Sequence, residues 1–535
     1  MTPPAPPIIW SIAGTDSGGG AGLAADQRAA DAFGVHLCPV VAAVTAQHSR
    51  AVLQIEPMRP ALIDAQLQAL ADDMPARVIK TGLLGGAAQV RLVARWVDRL
   101  REAGPVALVV DPVLAASTGA GFADPATLQA YRDELLPRAT VITPNRREAQ
   151  WLLGDAAPAD LVGLPALARR LRETGATAVC ITGGDSADIA GQVLDWLASE
   201  HANGWLASPR VATAHHHGTG CTFASSVAAA LALGFVPADA AVLAKMATTQ
   251  ALRCGHAAGR GSGPVQARPG FATDPSLLPR MSWGEAPRFF ATAPPAARQS
   301  LDLYAIVDRA DRVPQVLASG VRTVQLRIKT PDRPDAAWHP RLREAVQRSV
   351  ASCRAAGGEL FVNDHWELAQ ALGADGVHLG QEDLLALGES GREALRASGL
   401  ALGISSHSLW ELCRARSLAP RYIACGPVWP TLTKAMPWRA QGLDNLVWWR
   451  HMAGAPVVAI GGILNPEQVH AAAGCGVDGV CVVRALGDDP IASVPALQRA
   501  LDAGRAEAVA EALPWLPHPT LDSELQAPRV AEPVA

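Results

Sequence analysis

Small residues surround one reactive atom at Gly218-Thr219-Gly220-Cys221. Glycines there let consecutive backbone N–H groups turn toward one point. The Ala-rich stretch from Thr222 onward reads as a helix, so its positive end adds to that point. Such a hole suits the charge on a phosphoryl group in transit. Cys221 at a helix N-terminus is expected to have a lowered thiol pKa. That makes it a candidate base for a substrate hydroxyl. A glycine-rich helix entry with a buried thiol would read the same way. The preceding His215-His216-His217 cannot all face one ion, because successive residues point in different directions. No nearby spacing completes a zinc site.

Two other stretches of this half bear on phosphate. Residues 14–26 read GTDSGGGAGLAAD after an apolar run and before a helical one. They lack the lysine of a Walker loop, which excludes that motif. In ITPNRREA, Asn145 and Glu148 lie three apart at a strand end. Such a pair can hold a hydrated Mg²⁺ near a nucleotide phosphate, although the spacing is common.

A second set of polar residues is spread along the C-terminal half. It comprises Arg327, Lys329, Asn363, Asp364, Glu382, Asp383, Ser405, Thr431, Thr433, Lys434, Gly461 and Gly462, each just after a short apolar run. They converge only if those runs are the strands of a barrel whose C-terminal ends share one mouth. Asp364 and Asp383 then form an oxygen-ligand Mg²⁺ site. Arg327, Lys329 and Lys434 add three cations. That balance fits a diphosphate, with metal and cations neutralising a departing pyrophosphate. The Gly-Gly after the seventh run matches the usual barrel site for a phosphate monoester.

The elements that must position these residues are legible in outline. Residues 8–270 alternate apolar runs (8–14, 106–113, 139–145, 177–184) with amphipathic segments such as 87–104. This predicts an α/β domain with a parallel sheet covered on both faces. From 271 to 299 the chain is rich in Pro, Gly and Ser without a period, which reads as a linker. Eight runs follow, at 303–308, 323–329, 360–364, 376–380, 402–406, 422–428, 457–462 and 479–486. Eight βα units over 300–510 predict a TIM (β/α)8 barrel. Residues 511–535 read as a flexible tail.

Composition narrows the class. Of 535 residues, 49% are hydrophobic and 18% charged, with a net charge of −4. This excludes a disordered chain and gives no basic surface for nucleic acid. The apolar stretch 223–244 reads as a buried Ala-rich helix and turn, so no membrane association is expected. No Lys or Arg precedes the first apolar run, unlike a signal peptide. Nine cysteines without a C-x-x-C pair suit reduced thiols in a cytosol. A homo-oligomer is compatible with the sequence. Only Lys80, Lys245, Lys329 and Lys434 are lysines. Against an arginine-rich background, each is a candidate for a specific ammonium.

IAGTDSGGGAGLAAD, AVTAQHS, KTGLLGG, VVDPVLA, ITPNRREA, TGGD and HGTGCT occur in the order seen in hydroxymethylpyrimidine/phosphomethylpyrimidine kinases. Residues 8–265 resemble that ribokinase-like family of thiamin synthesis. The resemblance implies ATP as co-substrate and an aminopyrimidine held by Asp26 and Gln47. It implies Asn145 and Glu148 on the Mg²⁺ side, and Cys221 with the 218–220 loop, Thr219 included, at the transferring phosphate. Thr182 and Ser117 stand where the family often has Lys.

QLRIK, VND, GVHLGQED, GISSHS, GPVWPTLTK and AIGGI likewise follow the order of thiamin-phosphate synthases, so residues 300–495 resemble that family. This implies Gln325, Asn363 and Ser405 around a pyrimidine diphosphate. Asp364 and Asp383 would hold Mg²⁺, and Arg327, Lys329 and Lys434 the pyrophosphate. Thr431, Thr433 and Gly462 would seat a thiazole phosphate. Ile328 and Arg484 depart from the usual Glu and Ser. The implied protein is a bifunctional transferase that makes hydroxymethylpyrimidine diphosphate and joins it to thiazole phosphate. Two other readings share these residues: a kinase half that takes a pyridoxal-type alcohol, or one that is a weakly active pyrimidine-binding module.

Overall fold

The computed structural model describes residues 5–114, 124–155, 160–184, 189, 191–289, 300–431, 437–507 and 512–523. One compact unit runs to Pro287 and takes in the described residues from Leu521 onward, and a second runs from Arg288 to Thr520.

The first unit is built on one sheet. Its strands are β1 (Ile8–Gly14), β2 (His36–His48), β3 (Ala51–Pro57), β4 (Val78–Thr81), β5 (Ala107–Val110), β6 (Val141–Ile142), β7 (Ala178–Ile181), β8 (Gln192–Ala198), β9 (Asn203–Pro209) and β10 (Arg280–Met281). The order is β10-β9-β8-β7-β6-β5-β4-β1-β2-β3. The middle pairs, from β2–β1 through β6–β7, are parallel. β4 and β5 are buried at every residue, as strands covered on both faces must be. The expectation of a purely parallel sheet fails at both edges. β3 runs antiparallel to β2, and β8, β9 and β10 continue antiparallel from β7. The β2–β3 hairpin escaped notice because β3 (AVLQIEP) lacks a clean apolar alternation and none of its residues is fully buried.

The linker expected from 271 begins too early. Phe271 packs against Phe33 with ring centroids 4.6 Å apart and the rings tilted by 40°, and Met281 lies in β10 with none of its surface exposed. Leu277, Leu278 and Trp283 are buried too. Such aperiodic apolar residues pack singly and leave no pattern to read.

The second unit is a closed barrel of eight parallel strands: β11 (Asp302–Val307), β12 (Thr323–Leu326), β13 (Glu359–Asn363), β14 (Gly376–Leu379), β15 (Ala401–Ser406), β16 (Tyr422–Cys425), β17 (Val457–Ala459) and β18 (Gly479–Val482). Tyr304, Phe361 and Tyr422 fill its interior, with ring centroids 5.3–5.8 Å apart. Glycine makes room for them. A Cβ on Gly403 would sit 2.2 Å from Tyr422, and one on Gly376 2.5 Å from Phe361. Side chains two residues further along these strands share a face with that layer. They are Asn363, His378 and Ser405, so a polar layer caps the aromatic one at the C-terminal strand ends.

The tail expected from 511 is in part docked. His518 N–H donates to Asn445 Oδ1 at 2.9 Å, and Asn445 Nδ2 returns a bond to the His518 carbonyl at 3.1 Å. Arg439 N–H donates to the Thr520 carbonyl at 2.8 Å. Among the described residues no helix is long and apolar enough to cross a membrane.

Candidate active sites

In the first unit, two glycine loops meet at the C-terminal end of β1. Asp16 organises the first. Its carboxylate accepts N–H bonds from Gly18, Gly20 and Ala21 at 2.8–3.0 Å and pairs with His217 Nε2 at 2.8 Å. Burial raises its pKa, but these donors outweigh burial and the net shift is downward. Arg28 holds the same loop from its carbonyls, at Gly19 and Gly20. The second loop enters the helix Thr219–Ala232 through Gly218, whose φ is +86°. A Cβ on Gly218 would lie 2.2 Å from the Gly20 carbonyl, so the two loops touch backbone to backbone.

Gly220 differs. It has no positive φ, and a Cβ there would meet nothing within 4 Å. Packing within the protein does not require glycine at this exposed helix start. Close approach by a ligand would. The Thr219 hydroxyl donates back to the His216 carbonyl at 2.6 Å.

Gln47 lies at the irregularity between β2 and β3. Its backbone exchanges bonds with the Ser17 hydroxyl, both at 2.8 Å, and its side-chain amide lies 3.1 Å from His217 Nε2. The three histidines diverge, as their adjacency requires: His215 Nδ1 accepts from Gly263 N–H and His217 turns to Asp16.

Two expectations need correction, and one further pair of residues has a structural role besides the one expected. Asp26 does not face an opening. It is fully buried, with Oδ2 accepting from Ser11 at 2.6 Å and Oδ1 from Lys80 at 2.9 Å and Ser225 at 2.8 Å. Both oxygens are engaged inside the core, so the residue supports the site from behind. Cys221 does not have a lowered pKa. Burial pushes its thiol up to about 12, Asp111 and Asp26 add to the rise, and Lys80 only partly opposes it. The helix end is outweighed by desolvation. Asn145 and Glu148 form a reciprocal capping box on the helix Arg146–Leu153, with bonds of 2.9 and 3.0 Å. Their spacing is first a helix start.

Sequence reasoning passed over Asp111. Its carboxylate is 3.8 Å from Lys80, and Oδ2 is buried without a hydrogen bond. Burial lifts its pKa from 3.8 to about 6, with Asp26 adding and Lys80 opposing. Two carboxylates thus share one ammonium. A group whose folded pKa is raised loses stability on ionising, here as pH climbs from about 4 to about 6. Asp111→Asn should therefore stabilise the first unit by at most a few kcal/mol at pH 7.5, raising its melting temperature, and stabilise it clearly less at pH 4.5. Calorimetry at the two pH values checks this. An equal shift at both would rule out the ionisation as its cause.

Lys245 supplies a second buried ammonium. Its Nζ bonds Asp195 Oδ2 at 2.7 Å, and Asp195 Oδ1 accepts the Gly183 N–H at 2.9 Å. The turn at Thr182-Gly183-Gly184, which lacks the family lysine, is thus tied to one from another helix.

In the barrel, Asp364 ends β13 with φ +67°, a left-handed conformation uncommon for a non-glycine residue and often found at working sites. Partial burial and the negative charge of Asp383 raise its pKa against His365 and Arg327. Asp383 and Arg327 thus lie near enough to Asp364 for their charges to act on it. Asp383 Oδ2 accepts the Gly380 N–H at 2.9 Å. Gln325 Nε2 donates to Asn363 Oδ1 at 3.3 Å. Gly462 has φ +75°, and a Cβ there would lie 2.5 Å from the Trp429 carbonyl. The loops after β16 and β17 are joined by Trp429 N–H to the Gly461 carbonyl at 3.1 Å. Lys329 is exposed beyond β12, Thr431 is described, and Thr433 and Lys434 lie outside the described residues, as does Ser117.

His378 was not anticipated. Its Nε2 lies 2.9 Å from Ser405 Oγ and its Nδ1 2.8 Å from the Tyr422 hydroxyl, which in turn meets Tyr304 at 2.7 Å. Burial, with Arg327 and His407 adding, brings its pKa down to about 4. The only sequence signal was its place in GVHLG: an apolar strand seldom carries an inward polar residue without a partner.

Two family models match the chain: phosphomethylpyrimidine kinase over residues 16–266 and thiamine monophosphate synthase over 303–486. A probable thiamine biosynthetic bifunctional enzyme from rice is 34% identical over 501 residues, covering 90% of this chain and 86% of its own. The hydroxymethylpyrimidine/phosphomethylpyrimidine kinase of Synechococcus elongatus is 41% identical over 48% of this chain and 96% of its own. The thiamine-phosphate synthase of Rhizobium etli is 46% identical over 35% of this chain and 87% of its own. With both site geometries in place and a relative matched along nearly its whole length, the chain belongs to the thiamine biosynthetic bifunctional enzymes, which join a hydroxymethylpyrimidine/phosphomethylpyrimidine kinase to a thiamine-phosphate synthase.

Proposed function

We propose that the first unit transfers phosphoryl groups from ATP to hydroxymethylpyrimidine and then to its monophosphate, at the end of the helix Thr219–Ala232. The observation that carries this is the exposed Gly220 beside Cys221, at a helix start that the protein's own packing leaves open. The N–H groups of Gly218, Thr219 and Gly220 stabilise the moving phosphoryl charge. Gln47 offers an amide to the aminopyrimidine, which carries both donors and acceptors. Asp16 and His217 hold Gln47 and the glycine loop together. The Cys221 thiol orients the substrate hydroxyl, whose proton leaves to a phosphate oxygen as the new P–O bond forms. Phosphoryl transfer through a loose transition state asks little of a base, which suits a thiol that is neutral at rest.

The barrel then joins the diphosphate to thiazole phosphate. Asp364 and Asp383 are like charges held close together, and an oxygen-seeking divalent cation would relieve them. When bound there, Mg²⁺ would neutralise charge on the departing pyrophosphate. Arg327, Lys329 and Lys434 bind the phosphate oxygens. Gln325, Asn363 and Ser405 orient the pyrimidine, whose ring stabilises the cationic methylene carbon as pyrophosphate leaves. Thr431, Thr433 and Gly462 seat the thiazole phosphate, whose nitrogen attacks that carbon. No nucleophile from the protein is needed. All nine cysteines are free, which supports a reducing compartment such as a cytosol.

The test supplies ATP, Mg²⁺, hydroxymethylpyrimidine and thiazole phosphate and follows thiamin phosphate. Wild type should form it. Cys221→Ala should slow the ATP-dependent steps about 10²-fold and convert added diphosphate at the wild-type rate. Unchanged ATP-dependent turnover would remove Cys221 from the chemistry. A pyridoxal-type alcohol preferred over hydroxymethylpyrimidine would replace the substrate proposed for the first unit.

A further inference from the structure

A line of hydrogen bonds runs from the barrel core to its mouth: Tyr304, Tyr422, His378, Ser405. The first three are 1%, 0% and 7% exposed, and only Ser405 is partly exposed. We infer that this line fixes the Ser405 hydroxyl as a hydrogen-bond donor toward the substrate, with His378 as its positioning residue. The inference rests on the synthase reading above.

The direction follows from counting hydrogens. Each hydroxyl has one hydrogen to donate, and a neutral imidazole has one donor and one acceptor. If Ser405 donated to His378 Nε2, then Nδ1–H would donate to Tyr422 and Tyr422 to Tyr304. The Tyr304 hydrogen would then point into a cluster of Leu301, Ile306, Val458 and Cys481, where the one weak acceptor, the Cys481 sulfur, makes no hydrogen bond with it. No other partner for it exists among the described residues. A buried donor left unmade costs about 1–3 kcal/mol. In the opposite direction every group is satisfied. Tyr304 donates to Tyr422, Tyr422 to Nδ1, and Nε2–H to Ser405 Oγ. The Ser405 hydrogen is then the one left over, at the partly exposed end of the line. A protonated ring would also donate to Ser405, so the conclusion does not depend on titration.

A hydroxyl whose hydrogen is left free at this place favours a hydrogen-bond acceptor. On the pyrimidine diphosphate that is a ring nitrogen or a phosphate oxygen.

A double-mutant cycle on the full chain tests the coupling, using added diphosphate and thiazole phosphate. Ser405→Ala and His378→Leu should each lower kcat/KM about tenfold, the effect of about 1.4 kcal/mol of one hydrogen bond. Together they should lose no more than Ser405→Ala alone, within a factor of two. His378→Gln, which keeps an N–H within reach of Ser405, should recover much of the loss. Losses that multiply, a His378→Leu variant at the wild-type rate, or no rescue by glutamine would overturn the inference. If His378→Leu does not fold, Tyr422→Phe runs the same cycle. Affinity for inorganic pyrophosphate with Mg²⁺ locates the acceptor: weaker in Ser405→Ala for a phosphate oxygen, unchanged for a ring nitrogen. If wild type forms no thiamin phosphate, the synthase reading fails on its own. The cycle is then read from binding of the diphosphate.

Discussion

Replacing Lys80 with methionine should destabilise the first unit by about 3–5 kcal/mol, the range for stripping one partner from a buried ion pair. Lys80 is fully buried in the middle of the sheet, where its Nζ bonds Asp26 and faces Asp111. Burial opposes its charge, but Asp26 foremost, with Asp111 adding, holds its pKa above the ordinary range. A raised lysine contributes stability below its unfolded pKa and loses it only as pH rises through the higher folded value. The contribution is therefore complete at neutral pH. Without the ammonium, two carboxylates remain in the core with nothing to balance them. The loss is a large part of an ordinary domain's margin. Urea unfolding of the full chain would show an earlier first transition. Adding Asp26→Asn, which keeps an oxygen for Ser11 or Ser225, should recover part of the loss. A variant as stable as wild type would show that the cluster is not held by charge.

The second large effect is catalytic. Asp364→Asn or Asp383→Asn should reduce thiamin phosphate formation from added diphosphate about 10²–10³-fold, the scale of losing one preorganised charge at a reacting centre. ATP-dependent phosphorylation should not change. Stability gives the control. A carboxyl whose folded pKa is raised is a burden when ionised, so neutralising Asp364 should leave the melting temperature of the barrel unchanged or higher at neutral pH. Asparagine also adopts the left-handed backbone of this position more readily than alanine. Lost activity with lost stability would point to a scaffold residue. Retained activity would remove the proposed Mg²⁺ position.

The barrel was legible to the strand. Each of its eight apolar runs overlaps one observed strand, and polar residues at their ends mark the mouth. In the kinase half β1, β5, β6 and β7 were legible, whereas β2, β4 and the antiparallel edges were not, since an edge strand such as β3 is patterned by local packing rather than by one buried face. Among site residues, convergence at strand ends pointed to Asp364, Asp383 and Arg327, and in the structure the charges of the last two act on the first. Motif position pointed to Asp26 and Cys221, but motif order does not reveal depth: one is sealed in the core and the other desolvated. Lysine scarcity was a sounder guide. Lys80 and Lys245 are both committed to buried carboxylates, and Lys329 stands at the barrel rim. Asp16, Asp111 and His378 left little trace, because each owes its role to groups distant in the chain.

The docked residues after 511 bear on how such a chain could be shortened. His518 Nε2 also lies 2.8 Å from the Gln441 carbonyl, and the Gln441 side chain donates to the His407 carbonyl at 2.8 Å. Gln441 N–H reaches the Pro427 carbonyl at 2.7 Å. The trailing segment is thus a brace under the stretch that follows Lys434. Expression of the synthase half alone, trimmed where composition turns poor in secondary structure, would discard that brace. The safer cut falls beyond Thr520, and a purification handle belongs after it.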